Sequence, residues 1–146
     1  MKVSIITVAY NSYQTIEDTI KSVLSQDFSE IEYIIIDGGS TDRTIDIINR
    51  YKDKIATIVS EPDQGIYDGM NKGVALATGD IVGILNSDDF YSNNGVISSV
   101  VSQFKDGVDA VYAYLVYVDQ LRIEKIIRKW ISVQASKIHS FCKFHF

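Results

Sequence analysis

The sequence predicts an α/β protein, built on a mostly parallel open sheet with helices on both faces. Three observations predict it. Short, almost continuously apolar runs rich in β-branched residues recur along the chain, as in "KVSIITVAY", "EYIIID", "IATIVSE" and "DIVGILN", the composition of strands covered on both faces. Segments with helical spacing of apolar residues separate them. Each run also ends in a polar cluster, "YNS", "DGGSTD", "EPDQG" and "NSDD" in turn.

The elements follow in order. "KVSIITVAY" is the first strand. "QTIEDTIKSVLSQ" places Ile16, Ile20, Val23 and Leu24 on one helical face. "EYIIID" is a second buried strand ending at Asp37. After the "GGS" turn, Ser40 or Asp42 can cap a helix through "RTIDIINRY". "IATIVSE" is the third strand and "PDQG" a loop. "IYDGMNKGVALATG" reads as a helix closed by Gly79 at its C′ position, weakened internally by Gly69 and Gly73. "DIVGILN" is a fourth strand and "GVISSVVSQF" a further helix. "DAVYAYLVYVD" and "LRIEKIIRKW" read as two more strands in a hairpin.

Length and charge narrow the function. The 146 residues suit one hydrophobic core. No apolar run approaches the length of a transmembrane helix, the start shows no leader-like cleavage site, and the single cysteine suits a reducing cytoplasm. Net charge is −5, but unevenly placed. Residues 1–119 carry 8 basic against 18 acidic side chains, whereas residues 120–146 carry six basic against one acidic. Nucleic acid is therefore not expected as a partner. Any anion must be held locally, by backbone N–H groups or through a metal.

In open parallel sheets, ligands sit beyond the carboxyl ends of the strands, where all four polar clusters fall. Neither G-x-G-x-x-G after the first strand nor a P-loop occurs. What stands there instead is Asp37 after the second strand and the pair Asp88–Asp89 after the fourth. Carboxylates repel a diphosphate directly. They can accept hydrogen bonds from a base or ribose, and they can hold Mg²⁺ or Mn²⁺, which in turn binds phosphate oxygens.

Four segments, "VSIITVAYNS…IEDTIKSVLSQ", "IEYIIIDGGSTDRT", "SEPDQGIYDGMNKG" and "ATGDIVGILNSDD", closely resemble the N-terminal half of family 2 inverting glycosyltransferases of the GT-A fold. The resemblance spans roughly residues 2–118 and implies a nucleotide-sugar donor, with UDP the expected carrier. It implies that Asp37 contacts the base, Asp88 lies near the ribose and Asp89 binds the metal. It also implies that Thr7, Ala9 and Asn11 line the nucleotide pocket, with Asp63 and Gly65 shaping a wall and Asn71 and Lys72 near the base and phosphates. The expected acceptor is a polysaccharide or lipid-linked glycan, and the expected location is cytoplasmic.

The resemblance implies a nucleotide-sugar-binding domain over 1–119 and a basic remnant of the acceptor-binding part over 120–146. No general base is identifiable: Asp109, Asp119 and Glu124 are the late acids, and none sits in a recognisable motif. A shortened chain that binds donor without transferring it is thus an alternative. So is a receiver-like Mg²⁺-binding signalling domain, which needs acids after the first strand where "AYNS" stands. Uncovered apolar surface predicts self-association. The basic tail is expected to be solvated, with contact to an anionic membrane face as the other reading. His139, Cys142 and His145 supply only three ligands and are not expected to form a metal centre. Tyr67 is expected to pack at a helix start.

Overall fold

The computed structural model describes residues 1–105, 107–111, 114–119, 125–130 and 140–145. The first sheet contains β1 (Val3–Ala9), β2 (Ile31–Asp37), β3 (Thr57–Ser60) and β4 (Ile81–Ile84), in the order β3-β2-β1-β4 and all parallel. Helices α1 (Ile16–Leu24), α2 (Thr44–Asn49) and α3 (Ile66–Leu76) lie between these strands in sequence. After β4 come β5 (Asp89–Tyr91), α4 (Val96–Val101), β6 (Tyr114–Val118), β7 (Ile126–Trp130) and β8 (Ser140–His145). These late strands form a second sheet in the order β5-β8-β6-β7.

Side-chain alternation explains the layering. Val3 and Ile5 of β1 join Tyr33 and Ile35 of β2 beneath Ile16 and Ile20 of α1, Ile47 and Ile48 of α2 and Ile97 of α4. Ile6 and Val8 point the other way with Ile34 and Ile36, and meet Met70 of α3. Because both faces are covered, the strands show no polar alternation in sequence. Helix α3 comes close to β1 because Gly69 and Gly73 face it: a Cβ on Gly73 would lie 2.4 Å from Ile6 Cγ2, and one on Gly69 2.6 Å from Val8 Cγ1. At the β4 edge Val82 and Ile84 are exposed, as are Val74 and Leu76 of α3.

Several expectations need correction. Helix α3 ends at Leu76 with Ala77 already extended, so Gly79 is not its left-handed cap. Gly79 instead presses on β1, where a Cβ would stand 2.7 Å from Ser4 N and 2.9 Å from Lys2 O. Ser40 does not cap α2. Asp42 does accept the Thr44 N–H at 2.8 Å. The β6–β7 hairpin is antiparallel as expected, though residues 120–124 lie outside the described ones. The tail is not simply solvated, since β8 runs antiparallel to β5 and parallel to β6.

The sheet end remote from the polar loops is clasped by Glu32. Its carboxylate accepts Lys2 Nζ, Ser4 Oγ and Thr78 Oγ1 at 2.6 Å each, and the Thr78 N–H at 2.8 Å. The lysine first, then the serine and threonine, hold its pKa down to about 2. A depressed carboxyl stabilises the fold above its unfolded value of ~4.3, and that stabilisation is lost as pH falls toward 2. Glu32→Gln is therefore expected to cost about 2 kcal/mol at neutral pH. The loss should shrink between roughly pH 4.3 and 2, as urea titrations at both ends of that range would measure.

Candidate active site

The four parallel strands end at one edge, and the chain beyond each end lines a cleft of about 910 Å³. Ala9 ends β1 and Tyr10 to Thr15 follow it, Gly38 and Gly39 follow β2, Pro62, Asp63, Gly65 and Ile66 contribute after β3, and Asn86 to Asp88 follow β4. The loops are tied to one another. Asn11, in the left-handed region at φ 49°, donates its N–H to Ser40 Oγ at 2.8 Å and accepts the Thr41 N–H on Oδ1 at 2.9 Å. The Ser12 N–H donates to Thr44 Oγ1 at 2.7 Å, and the Ser12 and Ser87 hydroxyls share a 2.7 Å hydrogen bond. Thr19 Oγ1 donates to the Ser87 carbonyl at 3.0 Å. A cleft held this way loses little conformational freedom when a ligand enters.

Five of the expected residues line the cleft: Ala9, Asn11, Asp63, Gly65 and Asp88. Others stand elsewhere. Thr7 is fully buried and pairs its hydroxyl with Tyr33 at 3.1 Å, because the period of β1 turns it into the core. Asp37 is also fully buried. Its carboxylate accepts the Ser40 N–H at 3.1 Å, the Ser40 hydroxyl, and Ser60 Oγ at 2.7 Å. Asn71 is exposed on α3 and does not line the cleft.

Lys72 is committed to an acidic cluster instead. Its ammonium lies 2.9 Å from Glu61 Oε1 and 3.4 Å from Asp68 Oδ2, and the Glu61 hydrogen bond is the main cause that raises its pKa. Tyr67 does not pack, being 78% exposed. The start of α3 opens on the cleft through Gly65 and Ile66. Yet the Gly65 N–H is taken by Asp63 Oδ1 at 2.8 Å and the Gln64 N–H by Asp68 Oδ2 at 3.1 Å. Neither Asp109 nor Asp119 lines the cleft. Glu124, His139 and the side chains of Cys142 and His145 lie outside the described residues.

The electrostatics of the cleft are one-sided. Asp63 and Asp88 line it, and no Lys, Arg or His does so among the described residues. One residue beyond Asp88, Asp89 is 2% exposed, and its Oδ2 accepts Asn86 Nδ2 at 3.3 Å. Its Oδ1 and the Oδ1 of Asn86 are buried without a hydrogen-bond partner among the described residues. Burial first, then the charge of Asp88, pushes the Asp89 carboxyl up to about 8. Two orphaned buried acceptors would each cost about 1–3 kcal/mol. A hard divalent cation, which takes oxygen ligands only, fits this donor set. Among the described residues no cluster of three acid, His or Cys side chains is present, so such an ion would complete its shell with substrate oxygens and water.

Sequence reasoning missed Asn86, Tyr10 and Tyr13. The tyrosines line the cleft at 62% and 45% exposure. Their signal was the "AYNSY" at the first strand's end.

A four-stranded parallel sheet with flanking helices and an acidic crevice at its carboxyl edge defines a GT-A glycosyltransferase fold. The chain belongs to glycosyl transferase family 2, whose model matches residues 4–144. It is 39% identical over 99 residues to the UDP-Glc:α-D-GlcNAc-diphosphoundecaprenol β-1,3-glucosyltransferase WfaP of Escherichia coli, covering 67% of this chain and 39% of WfaP. It is 40% identical over 100 residues to an uncharacterised glycosyltransferase of Mycobacterium tuberculosis, covering 68% and 38% respectively. The chain thus spans about two fifths of these relatives' length. Staphylococcus aureus TarS 1–349 in complex with UDP-GlcNAc superposes with a TM-score of 0.65 at 29% identity, over 82% of this chain and 35% of TarS. The mannosyltransferase PcManGT of Pyrobaculum calidifontis, solved with GDP-Man and Mn²⁺, shares the fold at a TM-score of 0.68 and 24% identity, over 82% and 36%. This family membership replaces the receiver-like alternative. No helix among the described residues is long and apolar enough to cross a membrane.

Proposed function

We propose that this chain is the donor-binding part of an inverting glycosyltransferase. It takes a UDP-sugar together with Mg²⁺ or Mn²⁺, and it serves transfer to a lipid-linked or polysaccharide acceptor on the cytoplasmic side of a membrane. One observation carries the reading: among the described residues the cleft is lined by carboxylates and by no cationic side chain, with two orphaned acceptors at its Asn86–Asp89 corner. A diphosphate enters such a cleft only with a cation that reverses the local sign.

The residues divide the work by position. Asp89, with Asn86 and Asp88 beside it, would hold the cation, which supplies Lewis-acid stabilisation of charge developing on the leaving diphosphate. Asp88 in the cleft can accept a ribose hydroxyl. Asp37 acts at one remove, fixing Ser40 and the backbone of the base wall. Tyr10 and Tyr13 offer ring faces to the base or sugar. Lys72 does not line the cleft and pairs with Glu61 and Asp68 in the unliganded protein.

Calorimetry with UDP tests this directly. Binding is expected with Mn²⁺ and expected to vanish with a chelator; the same weak or absent heat under both conditions would defeat the proposal. Transfer from UDP-glucose to an acceptor of the WfaP type is measured in parallel. Binding without turnover would favour the second reading, a nucleotide-sugar-binding module, for which the placement of Asp109 and Asp119 away from the cleft speaks.

A further inference from the structure

We infer that the outer edge of the second sheet, residues 125–129, is a docking surface for an anionic lipid bilayer. Strand β7 is the last strand of that sheet and pairs only with β6 among the described residues. Lys125, Ile126, Ile127, Arg128 and Lys129 are all exposed, Ile126 at 57% and Ile127 at 59%. Neighbouring side chains on a strand point to opposite faces, so a strand with one face on a core hides one of any adjacent pair. Here neither isoleucine is hidden. Two adjacent apolar side chains stand in water, flanked by three cationic ones.

A bland reading accounts for the cations alone. Lysines on an edge strand repel other strand edges and keep sheets from joining. That device calls for polar neighbours, however, and the isoleucines work against it. Basic side chains around exposed apolar ones are the composition that binds the interface of a negatively charged bilayer, with charges among the headgroups and apolar groups at the acyl boundary. Strand backbone groups at that depth remain hydrated. Two other occupants fit less well. Nucleic acid offers phosphates but no place for the isoleucine pair, and an isologous contact between two copies would set like charges face to face.

The charge of the whole chain suits this assignment. Residues 125–129 hold three basic side chains and no acidic one, against 8 basic and 18 acidic in residues 1–119. A negative surface therefore repels the body and attracts this edge, which orients the molecule as it approaches. Screening over about 8 Å at physiological salt lets the edge act without the distant acids cancelling it. This inference does not depend on nucleotide binding, so a failure here and a failure of the proposed function are separable.

Co-sedimentation of the full chain with vesicles tests it, using phosphatidylcholine alone and phosphatidylcholine mixed with phosphatidylglycerol. Binding is expected to the mixed vesicles only and to weaken with added salt. Each basic side chain contributes on the order of fivefold, so Lys125→Glu with Arg128→Glu and Lys129→Glu should lower partitioning by about a hundredfold or more. Ile126→Ser with Ile127→Ser should lower it by roughly tenfold or more at unchanged charge, with circular dichroism confirming that both variants fold. Equal binding to both vesicle types, or binding undiminished in both variants, would overturn the assignment. So would light scattering that finds a dimer of the parent chain and a monomer of the isoleucine variant, since the strip would then be an interface between copies.

Discussion

Replacing Asp89 with asparagine is expected to abolish manganese-dependent UDP binding while leaving the fold intact. The two effects have one cause. Asp89 is 2% exposed, its Oδ1 has no hydrogen-bond partner among the described residues, and Asp88 lies next in the chain, so burial favours its protonated form until a cation arrives. An asparagine keeps a neutral group of the same shape there and withholds the anionic ligand, so the unliganded fold is expected to change by no more than about 1 kcal/mol. Affinity for UDP at saturating Mn²⁺ should fall by roughly a hundredfold or more, beyond what loss of an outer-shell partner causes. In chelator the two proteins should behave alike. A variant that keeps its Mn²⁺-dependent affinity would remove Asp89 from the metal role. A variant that melts well below the parent would mean that the buried carboxylate is structural.

Gly73→Val is expected to be the most damaging single change to the fold. Valine is the better helix former by a few tenths of a kcal/mol, and that gain is small beside the cost of overlap. The new Cβ would sit 2.4 Å from Ile6 Cγ2, and Ile6 is fully buried between α3 and the sheet. Relief requires α3 to lift, which uncovers Ile34 and Ile36 as well. Overpacking of this kind costs about 3 kcal/mol or more, equivalent to a drop of roughly 10 °C in melting temperature for a chain of this size. Ala75→Val, on the exposed side of the same helix, should change little and serves as the control. Because the same helix presents Gly65 and Ile66 to the cleft, partial lifting should also weaken ligand binding before the protein unfolds.

The parallel sheet was legible because strands covered on both faces leave an unmistakable run of Ile and Val, and the convergence of loops followed from where those runs stop. Side-chain direction was not legible. Thr7 and Ala9 share one face of β1, yet Thr7 lies two residues deeper and is spent on Tyr33. Asp37 stands at the strand's last position, where Ser40 and Ser60 enclose it. Half of the Lys72 arrangement could be read: Asp68 precedes it by four residues, the spacing of a helical ion pair. Glu61 reaches it from a loop, which no periodicity reveals. Gly69 and Gly73 look like weaknesses in a helix but are its packing surface. Gly79 resembles a helix stop because Gly so often is one; its actual constraint, contact with Ser4 N, comes from a strand 75 residues away in sequence. The pairings of β8 escaped notice because a short strand between two others is set by partners, and its own letters carry little pattern.

The register of β8 against β5 sets Phe144 opposite Asp89. The last residues of the chain are thereby coupled to the corner where the ion would sit. A purification handle fused ahead of Met1, which is 60% exposed, would emerge beside the Glu32 clasp at the far end of the sheet, away from that pairing. A substitution that breaks the β5–β8 pairing, such as Cys142→Pro opposite Tyr91, should therefore lower apparent cation affinity although it leaves every residue of the cleft in place.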